Sequence, residues 1–199
     1  MTKVVLASNN EGKLREIEQM LAPLGWEVRP QNDWEVGEAV EDGLTFVENA
    51  LIKARHAAER TRLPALGDDS GLLVDALDGR PGLRSARYAG GAGSAANVEK
   101  LLEELQGVPE ADRGAYFYCV MVLMRSAKDP APLISTGHWE GRIAAAPSGE
   151  GGFGYDPVFF VPERDCTAAQ LPEAVKNAIS HRGQALAGMI SRLRREFSS

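Results

Sequence analysis

Short apolar runs alternate with helical stretches through the first half of this chain, and paired apolar runs dominate its second half. That order constrains the fold more than any other feature. Val4–Ala7 is a buried strand feeding a polar loop and a helix from about Gly12 to Leu21. Thr45-Phe46-Val47-Glu48 matches a capping box, with the hydroxyl at the N-cap and the carboxylate three residues later, and opens a helix to about Arg60. Leu63–Gly67 is a short strand ending at Asp68-Asp69-Ser70-Gly71, and a helix covers about Ala95–Leu105. Tyr116–Met124 is a long apolar strand, Leu133–Trp139 its partner, and Val158–Val161 a further strand. Leu186, Met189, Ile190, Leu193 and Phe197 follow helical spacing and mark a closing amphipathic helix. Strands interleaved with helices, then strands paired together, give an α/β fold with a mixed central sheet flanked by helices. Nothing repeats and no low-complexity linker divides the chain, so residues 1–199 read as one domain.

Composition narrows the classes of function. With 199 residues and 44% hydrophobic content the chain can bury a substantial core or two small lobes. No apolar run is long enough for a membrane span, and Met1-Thr2-Lys3 leads straight into a short apolar run unlike a signal peptide. Cys119 and Cys166 have no metal spacing and imply no disulfide framework, which fits a reduced, cytoplasmic protein. A net charge of −6 disfavours a nucleic-acid surface and leaves local basic clusters to hold a small anion.

Several segments carry the residue types such an anion requires. Ser8-Asn9-Asn10-Glu11-Gly12-Lys13 joins the first strand to a helix N-terminus, where backbone N–H groups and a lysine attract phosphate. It is not a P-loop, and an ordinary polar loop competes equally on this segment alone. Lys53 shares a helical stripe with Phe46, Ala50 and Ala57, where an ammonium needs a partner or must snorkel; anion binding is favoured, with Asn49 one turn earlier on the same flank. Asp68-Asp69 at a strand end offers a carboxylate for Mg²⁺ and water, against an Asx turn leading into Gly71. Extended backbone would point only one of the two aspartates at a given pocket. Gly149–Gly154 satisfies G-x-G-x-x-G but precedes an apolar strand rather than a helix, so its glycines bend the chain and present Phe153 for stacking or for the core, with Asp156 beside it as an acceptor. Lys176 and Ser180-His181-Arg182-Gly183 set three donors near one another, suited to carbonyl oxygens or to a solvated basic turn. Trp26, Trp34 and Trp139 are packing residues, Cys119 a buried small hydrophobe, and His56 and His138 surface or structural residues.

Together these blocks, with Pro81-Gly82 and Ser85-Ala86-Arg87-Tyr88, resemble the inosine triphosphate pyrophosphatase family over nearly the whole chain. The resemblance is to its bacterial branch. It implies Mg²⁺-dependent hydrolysis of XTP, ITP and dITP to the monophosphate and pyrophosphate, in a cleft between two lobes of an α/β homodimer. Ser8, Asn9, Asn10, Glu11, Gly12, Lys13 and Lys53 would bind the triphosphate. Asp69 would be general base and metal ligand, with Ser70 touching substrate. Phe153, Gly154, Tyr155, Asp156, Lys176, His181 and Arg182 would hold the base. Donors there favour a 6-oxo purine, since adenine would set its own donor against them. Val40 stands where members commonly carry a metal-ligating acid, leaving Glu41 as the substitute. That departure motivates the alternative of a non-catalytic nucleotide sensor. Ala174-Val175 likewise replaces the acidic pair usual before Lys176.

Overall fold

The computed structural model describes residues 2–196. Seven strands form one mixed sheet: β1 (Thr2–Leu6), β2 (Trp26–Pro30), β3 (Ala65–Val74), β4 (Gly114–Met124), β5 (Leu133–Ile143), β6 (Phe159–Val161) and β7 (Cys166–Thr167), in the order β2-β1-β3-β4-β5-β6-β7. β1 runs parallel to β2, with Val4 opposite Val28, and to β3, with Val5 opposite Ala65. β6 runs antiparallel to both β5 and β7. The flanking helices are α1 (Glu11–Leu21), α2 (Phe46–Thr61), α3 (Ser94–Glu104), α4 (Glu173–Ile179) and α5 (His181–Glu196). Among the described residues no helix is long and apolar enough to cross a membrane. The helix expected to close at Phe197 is α5, with Leu186, Met189 and Leu193 buried; Phe197 itself lies outside the described residues.

The chain divides into two compact units. The first comprises residues up to Asp69, Cys119–Gly137, and from Arg182 onward. Here Val4, Val5 and Leu6 of β1 are all apolar and buried because both faces of the strand are covered there, as a central parallel strand requires. Val4 and Leu6 pack with Ile17 and Leu21 of α1 and with Leu186 and Met189 of α5. Val5 and Ala7 face the other way, onto Ala57 and Ala58 of α2. Small residues let α2 come close to the sheet. A Cβ on Gly67 would collide with the Ala50 carbonyl and stand 3.0 Å from the Ala54 nitrogen.

The second unit comprises Ser70–Tyr118 and His138–His181. Leu72, Val74, Val98, Leu101, Leu105, Phe117, Trp139, Ile143 and Phe159 form its core. The Ser85–Tyr88 block is a structural knot within it. Ser85 Oγ accepts from Leu72 N (2.9 Å) and donates to the Gly82 carbonyl (2.6 Å), while the Tyr155 hydroxyl donates to the Ser85 carbonyl (2.9 Å).

One expectation is corrected. The strand does not stop at Gly67; β3 passes straight through Asp68-Asp69-Ser70-Gly71 to Val74. Polar, turn-forming residues occupy mid-strand positions because each aspartate meets a cation, Arg182 and Lys13 for Asp68 and Lys53 for Asp69, so the backbone has no need to turn them out to water. β2, β7 and α4 also lie where the sequence pattern gives no clear signal: β2 has a single buried position, and β7 is two residues long.

Candidate active site

In the first unit, alternation along β3 sends the two aspartates to opposite sides, and each collects its own charges. Asp68 is wholly buried. Its carboxylate is paired with Lys13, accepts from Arg182 Nε at 3.2 Å, and accepts from the Cys119 thiol at 3.2 Å. Burial alone would raise its proton affinity, but Lys13 and then Arg182 outweigh burial and hold it far below the usual carboxylate range. The same carboxylate, after burial itself, pushes the Cys119 thiol up. Arg182 Nη1 also donates to Glu16 Oε2 at 2.5 Å, so burial of its guanidinium is offset by two carboxylates.

Asp69 accepts from Lys53 Nζ at 2.7 Å, and Glu41 Oε2 stands 3.6 Å from the same ammonium. Burial raises the proton affinity of Asp69, and Lys53 only partly opposes it. This is the partner the inward-facing Lys53 demanded. Ahead of it, α1 begins in the expected place: Asn10 Oδ1 accepts from Lys13 N (3.1 Å), and Ser8 Oγ accepts from Asn10 N (3.2 Å). Asn9, Asn10 and Glu11 are exposed, Ser8 and Gly12 half-buried. Thr45 caps α2, its hydroxyl accepting from Glu48 N (3.3 Å), while the Glu48 carboxylate takes Leu44 N (2.9 Å). Among the described residues no group of three or more His, Cys, Asp or Glu is arranged to hold a metal; the acidic pair around Lys53 is Glu41 and Asp69.

The second unit gathers a different set. Lys176, in α4, is buried and donates to Asp156 Oδ2 at 2.7 Å; that oxygen also accepts from Phe153 N at 2.7 Å. The ammonium lies 5.0 Å from the centre of the Phe153 ring. Gly149, Gly152 and Gly154 all have positive φ, and a Cβ on Gly152 would run into the Asp156 carboxylate, so the loop can close over Asp156 only as glycine. Phe153 is half-buried and, with Gly154, lines a cavity of about 600 Å³ bounded also by Val98 and Leu102 of α3. Tyr155 is buried, and burial pushes its phenol up. The predicted basic turn is not solvated. Ser180 caps α4, and His181 opens α5 with its ring stacked on Phe117, 4.6 Å between centres and 9° between planes. Ser70 is half-buried in β3.

Ser8–Lys13, Glu41, Lys53, Asp69 and Arg182 thus belong to the first unit, and Ser70, Phe153–Asp156, Lys176 and His181 to the second. Glu16 as an Arg182 partner and Phe117 as the support of His181 are not singled out by the sequence. A lone acid in α1 and an aromatic in a strand give no signal until their partners are placed. Trp139, expected to pack, does so, buried beside Phe117 and Phe159.

The pattern of the Ham1 family matches residues 4–192, and the chain belongs to that family. It is 55% identical over 194 residues to a Vibrio parahaemolyticus serotype O3:K6 protein named dITP/XTP pyrophosphatase, covering 97% of each chain. A Yersinia pseudotuberculosis serotype I protein of the same name is 56% identical over 195 residues, 98% of this chain and 99% of that one. Among solved structures, a HAM1 protein from Coxiella burnetii superposes with a TM-score of 0.89 at 52% identity, covering 98% of this chain and all of that one. The nucleoside-triphosphatase / dITP/XTP pyrophosphatase of Mycobacterium abscessus gives a TM-score of 0.74 at 41% identity, over 96% of this chain and 100% of that one.

Proposed function

We propose that this chain hydrolyses deaminated purine nucleoside triphosphates (dITP, XTP and ITP) to the nucleoside monophosphate and pyrophosphate. The observation that carries the reaction is Asp69: a largely buried carboxylate of raised proton affinity, set against a lysine and a second acid. A base of raised pKa accepts a proton from water more readily than an ordinary carboxylate. In the step proposed, Asp69 takes a proton from water, the water oxygen bonds to phosphorus, and the α–β anhydride bond breaks to release pyrophosphate. Lys13, Lys53 and the Ser8–Gly12 loop neutralise the phosphates, which all substrates share.

Glu41 and Asp69 fit a divalent cation. They are hard oxygen donors already gathered on a positive charge, the Lys53 ammonium, and two protein carboxylates completed by phosphate oxygens and water are what Mg²⁺ takes. Bound there, Mg²⁺ would neutralise charge developing on the phosphates. In the second unit, Phe153 offers a face for a purine ring, and Gly154, Tyr155, Asp156, Lys176 and His181 surround or support its edge, with Arg182 adjoining in sequence. Ser70 touches the substrate. Residues 1–199 act as one catalytic domain, in a cytoplasmic homodimer.

The test is to incubate the protein with XTP, ITP, dITP, ATP and GTP plus Mg²⁺ and separate the products. Monophosphate and pyrophosphate from the first three, with ATP and GTP spared, is expected. Diphosphate and phosphate, or equal turnover of ATP, would contradict the proposal. His181→Ala should lose more kcat/KM on ITP than on ATP, because a site that hydrogen-bonds a substrate oxygen discriminates through its own unpaired groups.

A further inference from the structure

The segment that carries Glu41 is held by one helix. From Gly37 to Leu44 the backbone has no regular structure, and its large apolar side chains anchor nothing: Val40 is 79% and Leu44 86% exposed. Polar ties replace packing. His56 Nε2–H donates to the Gly37 carbonyl (2.9 Å), and Asn49 Oδ1 accepts from Gly43 N (3.0 Å). Between those two ties, Lys53 meets Glu41 at 3.6 Å. Asn49, Lys53 and His56 are spaced i, i+4, i+7 on α2, so they form one stripe of the helix. The segment from Gly37 to Gly43 therefore lies along that stripe, gripped at both ends. The grip also explains Gly43: a Cβ there would stand 2.6 Å from Asn49 Oδ1 and 2.7 Å from Glu48 Cβ. Asn49 is itself buried, and its acceptor oxygen is spent on this bond.

Resting on the metal-dependent hydrolysis proposed above, we propose that Asn49 and His56 are positioning residues for Glu41, clamping its loop along α2 so that its carboxylate reaches the Lys53–Asp69 corner. Neither touches substrate or metal; both act through Glu41. The clamp makes Glu41 available despite the exposed Val40 beside it. Supporting groups of this kind typically alter metal affinity about 10–100-fold when removed.

The test uses Mn²⁺ alone, its free concentration read by electron paramagnetic resonance during titration of the whole protein without nucleotide. Wild type, Asn49→Leu, Glu41→Gln and the double variant form a cycle. Asn49→Leu should weaken Mn²⁺ binding about tenfold or more. In the presence of Glu41→Gln it should weaken it no further, since residues acting through one group are not additive. His56→Ala, at a half-buried position that tolerates truncation, should weaken Mn²⁺ by a few-fold and likewise only while Glu41 is present, which keeps the test open if Asn49→Leu does not fold. Equal losses with and without Glu41→Gln would assign both residues a general structural role and overturn the clamp. So would unchanged Mn²⁺ affinity in Asn49→Leu and His56→Ala, provided Glu41→Gln and Asp69→Asn do weaken it. If wild type binds no Mn²⁺ and neither acid matters, the metal assignment falls first and takes the clamp with it.

Discussion

Asp68 and Asp69 are the same side chain at adjacent positions of one strand, and their surroundings drive them in opposite directions. Asp68 is sealed among Lys13, Arg182 and Cys119, so its charge is locked on. Asp69 faces Lys53 and Glu41, retains some exposure, and has its proton affinity raised by burial. The difference teaches that adjacent positions of one strand can hold carboxylates of opposite proton affinity, provided the two faces supply different surroundings. Asp68 serves the fold by holding Lys13 and Arg182 in place. Asp69 is the carboxylate proposed above as the general base.

Their lysines should separate along the same line. Lys13→Ala removes a partner from a wholly buried carboxylate, and breaking such a pair commonly costs about 3–5 kcal/mol. It should therefore lower the thermal midpoint as well as raise KM for every triphosphate. Lys53→Ala leaves Asp69 able to relax by protonation, so KM should rise similarly with a smaller loss of stability. Calorimetry and steady-state kinetics on the two variants check this; a larger stability loss for Lys53→Ala would erase the distinction. At the small end, Cys119→Ala removes one neutral donor from Asp68 while both cations remain. A loss of about 1 kcal/mol with kcat unchanged is expected from denaturant unfolding and steady-state rates.

Much of this arrangement was legible in the sequence, for physical reasons that differ by region. β1 and β4 announce themselves as unbroken apolar runs, and α1 and α2 as helices with one buried face. Lys53 is conspicuous because a charge on such a face demands a partner. β3 is misread because composition at Asp68-Asp69-Ser70-Gly71 signals a turn, and only partners distant in sequence, such as Arg182 and Cys119, let the strand continue. Lys176 and His181 stand out in the sequence by type, but their burial does not: nothing local tells that Lys176 donates to Asp156 or that His181 stacks on Phe117. The loop at Glu41 lacks periodicity altogether, and its placement depends on single hydrogen bonds to α2.

The division of labour on β3 is tested most directly by making Asp68→Asn and Asp69→Asn side by side and measuring kcat and unfolding free energy on each from pH 3 to 8. Asp68, whose folded pKa lies below its unfolded 3.8, gives stability that is complete above that value and fades as pH falls beneath it. Asp68→Asn should thus be destabilised by about 3–5 kcal/mol near neutrality, with the gap to wild type closing in acid. Asp69, raised above 3.8, has the opposite sign: its ionised form costs stability above its folded pKa. Asp69→Asn should then be at least as stable as wild type near neutrality while kcat falls by about 10²–10⁴, the range for a lost general base. A destabilised but active Asp69→Asn, or a stable Asp68→Asn with kcat abolished, would contradict the account.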